Sequence, residues 1–153
     1  MHTLVLVVHV IAGSTGLVLG PIAMRAAERR GLHTAVGSAY HWAMLTVGLS
    51  AVALAAFDPA GLWWFVPIAI GSYAGAAVGR WAARAKPPGW LEWHVRGVGG
   101  SYIALVTALV VVNVQGTWLA WVLPTLVGTP LIELAVARIR RRSRGRVGTV
   151  AAA

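Results

Sequence analysis

The chain has 153 residues, 58% hydrophobic and 11% charged, against roughly 25% charged in soluble domains. One aqueous core cannot hide that much apolar surface, so composition excludes an ordinary water-soluble domain and points to lipid as the solvent. The formal charge of +9 by itself would suit nucleic acid, but its distribution argues against that partner, and the lack of cysteine excludes disulfides, iron–sulfur clusters and thiolate metal sites.

A helix needs about 20 apolar residues to cross ~30 Å of hydrocarbon. Five stretches qualify, over residues 3–24, 34–57, 62–84, 93–115 and 118–137. The first lacks the basic flank of a signal peptide, since nothing before Arg25 is Lys or Arg, and it is long enough to span. It is therefore expected to stay as a span. Asp58-Pro59-Ala60-Gly61 makes a short turn between the second and third. Arg80 and Arg84 snorkel at the end of the third, and Lys86-Pro87-Pro88-Gly89 cannot continue a helix. Gln115-Gly116-Thr117 separates the last two. The predicted fold is all-α: one bundle of five transmembrane helices over residues 1–146, with a flexible tail at 147–153.

The basic residues orient this bundle. Arg25, Arg29 and Arg30 follow the first span. Arg80, Arg84, Lys86 and Arg96 flank the loop after the third. Arg138, Arg140, Arg141, Arg142, Arg144 and Arg146 follow the fifth, completing all 13 Lys and Arg of the chain. Five crossings put every one of them on a single face, leaving His2, Asp58 and Gln115 on the other, whereas four would strand the final cluster. The positive-inside rule then sets the N-terminus outside and the C-terminus in the cytoplasm. The cluster at 138–146 reads as a topology anchor for anionic headgroups, each basic residue contributing about 1 kcal/mol near the surface. No nucleic-acid partner is expected.

Gly16 and Gly20 in the first span, and Gly71, Gly75 and Gly79 in the third, repeat at G-x-x-x-G spacing. Such faces let a second backbone approach closely, inside one bundle or across a homodimer. Trp63, Trp64, Trp118 and Trp121 fall at the outer span ends and Trp81, Trp90 and Trp93 at the inner ends, as an interfacial belt requires.

Ionisable groups inside lipid are costly, so they are the functional candidates. Depth decides which can meet. At 1.5 Å per residue, His41, Tyr102 and Glu133 lie ~7–10 Å from the cytoplasmic ends of their spans, while His33 and His94 open the second and fourth. His9 and Asn113 share the outer layer. A bis-imidazole haem needs two histidines on facing helices at one depth; His94 matches His33 or His41. His9 has no such partner. The bland alternatives are interfacial placement for His33 and His94, interhelical hydrogen bonds for His9 and His41, and pairing of Glu133 with Arg138, His41 or a headgroup. A zinc site would draw on His41, His94 and Glu133, although no His-Glu-x-x-His pattern supports one. Neither periodicity nor spacing shows a catalytic centre, so an enzyme acting by itself is not expected.

The motifs His9-x-x-x-Gly13 leading to Gly20-Pro21, Leu32-His33-x-x-x-Gly37-x-x-Tyr40, and Trp93-His94-x-Arg96 leading to Ser101-Tyr102 resemble those of a domain-of-unknown-function family of small bacterial predicted membrane proteins. The likeness covers roughly residues 5–110. It implies a polytopic helical protein of the bacterial inner membrane, with His9, His33 and His94 as family-type positions, and it implies no activity. The chain departs from the pattern in having His41 after Tyr40 and no Trp-Met after His94. A looser likeness links the histidines to membrane b-type cytochromes. Three functions follow as expectations. The first is a haem b electron-transfer protein or subunit, with a link to quinone. The second is a non-enzymatic assembly subunit of a larger complex. The third is a small proton-coupled transporter using His41 and Glu133.

Overall fold

The computed structural model describes residues 1–26, 29–114 and 117–151, with side chains as far as Ser143 apart from Arg30. Gln115 and Gly116 of the last expected break, the side chains of Arg144 and Arg146, and Ala152 and Ala153 of the expected tail lie outside the described residues. The described chain is helical, with no strand. Its elements are α1 (His2–Arg25), α2 (Arg30–Phe57), the single turn α3 (Pro59–Leu62), α4 (Phe65–Ala85), α5 (Trp90–Asn113) and α6 (Leu119–Ala151). The last runs beyond the expected end of the fifth span at Ala137.

Local chemistry sets the breaks. Asp58 caps α3: its carboxylate accepts the Gly61 N–H at 3.1 Å, with Pro59 at the first helical position. The expected turn is thus one capped helical turn. A Cβ on Gly61 would stand 2.5 Å from the Asp58 carboxylate, so a larger residue there would displace the capping side chain. α4 stops at Lys86, which takes a left-handed conformation (φ 49°) before the two prolines, and Gly89 (φ 70°) opens α5.

Four stretches are long and apolar enough to cross a membrane: His2–Arg25, Gly31–Phe57, Trp90–Asn113 and Leu119–Ser143. α4, expected as the third span, has the length with 21 residues. Gly71, Ser72, Tyr73, Gly75, Gly79 and Arg80 dilute its apolar character. Leu4, Ile11, Val18, Leu49, Ile70, Leu126 and Leu131 face outward, while the centre is small and partly polar. Tyr40, Met44, Ala76 and Leu105 form the core cluster. That is the reverse of a soluble bundle, and exposed apolar surface of this kind calls for a lipid or protein cover.

α1, α2, α4 and α5 pack around that core, and α6 lies chiefly against α5. Small residues make the contacts. A Cβ on Gly97 of α5 would fall 2.6 Å from the Gly75 carbonyl oxygen and 2.9 Å from the Gly79 nitrogen, so α4 and α5 cross backbone to backbone. On α1, Gly16 receives Leu105 and Gly20 receives the Tyr102 ring. Gly71 meets nothing within 4 Å and does not serve helix packing within the bundle, although it lies one turn from Gly75 on nearly the same side of α4. The α5–α6 seam places Ile132 against Gly99 and Ile103 against Gly128. Trp63, Trp64, Trp81, Trp93, Trp118 and Trp121 are all exposed.

Candidate functional site

His33 and His94 come together where the start of α2 meets the start of α5. Their ring centroids are 5.9 Å apart with planes at 73°. Each ring is held by its Nδ1. The His33 Nδ1 lies 2.9 Å from the Ala23 carbonyl, in the last turn of α1, where carbonyls run short of helical partners. The His94 Nδ1 lies 2.9 Å from the Gly79 carbonyl of α4. A carbonyl only accepts, so both Nδ1 atoms carry the proton. In the neutral rings this leaves both Nε2 atoms with a free lone pair. Trp90 flanks His94 at 6.5 Å between centroids.

His9 follows the same rule one level away. Its Nδ1 is 2.9 Å from the Ser50 hydroxyl oxygen. Ser50 has one proton, directed at the Thr46 carbonyl at 2.6 Å. Ser50 therefore accepts from His9 Nδ1–H, and His9 too keeps its Nε2 lone pair. This is an interhelical donor bond between α1 and α2. His41 lies two turns along α2 from His33, about 12 Å by helical rise. Its ring sits against Tyr73 (5.5 Å between centroids) and Trp42 (5.6 Å), and its Nδ1 is buried without a partner. Of the two partners that depth allows for His94, His33 is the one adjacent to it.

Tyr102, expected beside a cofactor, is tied to α1 instead. Its hydroxyl donates to the Leu17 carbonyl at 3.2 Å. The cause is Pro21: four residues past Leu17, it has no N–H to give, and an unpaired carbonyl in a low-dielectric interior is costly. Gly20 lacks the Cβ that would fall 2.5 Å from the Tyr102 ring. Glycine, proline and tyrosine thus form one contact. Tyr40 donates to the Ser101 hydroxyl at 2.9 Å, since Ser101 spends its own proton on the Val98 carbonyl at 2.7 Å. Both are almost fully buried.

Glu133 meets neither Arg138 nor His41. Arg96 grips it with two bonds of 2.8 Å, Nε to Oε1 and Nη2 to Oε2. Arg96 also reaches Glu92 at 3.2 Å, and Arg140 holds Glu92 with bonds of 2.8 and 2.5 Å. Two arginines and two carboxylates on α5 and α6 form a neutral quartet on an exposed flank. Among the described residues no three His, Asp or Glu gather into a metal-holding group, so the His41, His94 and Glu133 zinc arrangement does not assemble. Asn113 bonds back to the Leu109 carbonyl at 2.8 Å, one turn earlier in its own helix, and is exposed.

A cavity of about 390 Å³ opens at the His9 end of the bundle. All four core helices line it, and Leu17, Met44 and Leu105 form part of its wall. Sequence reasoning missed this cavity, Ser50 as the partner of His9, the carbonyl freed by Pro21, and Gly97. The Pro21 signal was available, because a proline inside a span always orphans the carbonyl four residues before it.

No family model, no characterised protein and no solved structure matches this chain.

Proposed function

We propose that this chain is a five-span protein of the bacterial inner membrane, C-terminus in the cytoplasm, that binds one b-type haem between His33 and His94 and carries electrons. The observation that carries the reading is the pair of imidazoles 5.9 Å apart, each with Nδ1 committed to a backbone carbonyl. Ligating histidines are usually fixed this way, the second nitrogen being left for the metal. The two Nε2 atoms would be the ones to hold the haem iron. The haem would supply reversible one-electron chemistry at its iron. The chain's own contribution is to fix both ring tautomers, to bring α2 and α5 to one depth, and to exclude water with the surrounding apolar helices. The segregation of all 13 Lys and Arg supports the orientation, and α4 completes the fifth crossing.

The test is an absorption spectrum of protein purified in detergent, before and after haem addition. His33→Ala and His94→Ala should each abolish the Soret band, while His41→Ala and His9→Ala should keep it. A wild-type chain with no Soret band after haem addition would refute this reading.

A second reading, a helix-packing subunit of a larger complex, draws on one observation. His9, His33, Tyr40, His94 and Tyr102 all make contacts between helices. It predicts co-purification with a larger assembly and no haem spectrum. The transporter reading is weakened by Glu133, whose two oxygens Arg96 already occupies.

A further inference from the structure

The cavity at the His9 end lies between α1, α2, α4 and α5, away from the His33–His94 pair. Along α5, His94 and Leu105 are eleven positions apart, about 16 Å. Its volume of about 390 Å³ falls within the range of small-molecule sites, and its lining is dominated by Leu, Val, Ile, Phe, Met and Ala side chains. The few polar groups on its wall decide what it can recognise. His9 lines it with Nδ1–H spent on Ser50, so the only ring nitrogen left is an acceptor. Ser72 lines it with its hydroxyl proton spent on the Ile68 carbonyl at 2.6 Å, so it too offers an acceptor. His2 and Ser14 also line it and are exposed. An apolar chamber whose half-buried polar atoms accept but do not donate selects a lipid-soluble molecule with a hydroxyl donor.

We propose that this cavity binds a quinol-class ligand, a flat apolar ring bearing hydroxyls and an apolar tail, with one hydroxyl donating to His9 Nε2. A quinone has only carbonyl acceptors to offer and finds no half-buried donor here. The proposal concerns binding, and it stands on the cavity alone, whether or not His33 and His94 hold haem.

The test uses the full chain in lipid nanodiscs, titrated with decylubiquinol and, in parallel, with its oxidised form, by tryptophan fluorescence. Saturable quinol binding is expected, with the quinone at least about tenfold weaker for want of the hydrogen bond. Gly13→Phe fills the chamber from a position where a Cβ meets only Val47 Cγ2 at 4.0 Å, and it should abolish binding. His9→Phe should weaken quinol by about tenfold and leave quinone unchanged. Because His9→Phe also removes the bond between α1 and Ser50, Gly13→Phe serves as the variant that leaves that bond intact. His33→Ala should bind quinol as wild type does, which separates this site from the haem reading. Absence of saturable binding, undiminished binding in Gly13→Phe, or equal affinity for quinol and quinone would overturn the proposal. So would a resident phospholipid chain that excess quinol fails to displace.

Discussion

The two ends of the four-helix core are built differently. At the His33–His94 end, Gly75, Gly79 and Gly97 bring α4 and α5 to backbone contact, and Tyr102, Tyr40, His33 and His94 tie helices together through polar atoms. At the His9 end, the His9–Ser50 bond joins α1 to α2, and the same helices leave a chamber of about 390 Å³. In lipid there is no hydrophobic drive between helices, so close packing comes from small residues and hydrogen bonds. Small residues line the chamber too, but Gly13 there meets only Val47 at 4.0 Å and no facing backbone, so space remains. Tightness and openness in one bundle thus depend on whether a small residue meets a facing helix rather than on overall apolarity.

The largest expected effect breaks the tight end. Gly97→Leu puts a side chain where the α4 backbone already lies, 2.6 Å from the Gly75 oxygen, and neither backbone can yield. It should cost at least about 3 kcal/mol, at the top of the overpacking range. Denaturant unfolding in mixed micelles would measure this, and a variant as stable as wild type would show that the α4–α5 crossing is wrong.

A smaller change sharpens the comparison. Tyr102→Phe leaves the Leu17 carbonyl without its donor and should cost about 1 kcal/mol. Pro21→Ala restores a backbone N–H to that carbonyl, so in its background the tyrosine change should cost clearly less. The double-mutant cycle isolates the pairing. Strict additivity would mean that the tyrosine hydroxyl is not answering the proline. The smallest effect is Gly71→Ala. With no neighbour within 4 Å of its Cβ, it should shift stability by no more than about 0.5 kcal/mol in the same assay.

Much of this architecture is legible in the residues. Long apolar runs mark the helices, and Asp58-Pro59 and Lys86-Pro87-Pro88-Gly89 stop them through capping and proline sterics. Depth arithmetic along a helix is simple, which is why it brings His94 level with His33. How far along its length a helix stays in contact with its neighbour is not contained in such arithmetic. Gly71 and Gly75 share a motif, yet only Gly75 meets α5, and Gly97 matters most at the crossing although no repeat flags it. Long side chains escape prediction for another reason. Arg96 reaches across to Glu133 from a neighbouring helix, while Arg138, one of the expected partners, is close to it only along the sequence. The acceptor character of His9 depends on where Ser50 sends one proton, a detail fixed only once α1 and α2 are packed.

The way α6 joins the molecule has a bearing on how the chain is made. It leans chiefly on α5, through Ile103 and Ile132 seated on glycines and the charged quartet at its flank. Everything around Met44 and Leu105 is therefore already synthesised when the ribosome reaches Leu119, and folding that proceeds from the N-terminus can settle the core before the last helix arrives. α6 behaves as a late buttress, clipped on from outside, and its loss should spare the assembly order of everything before it.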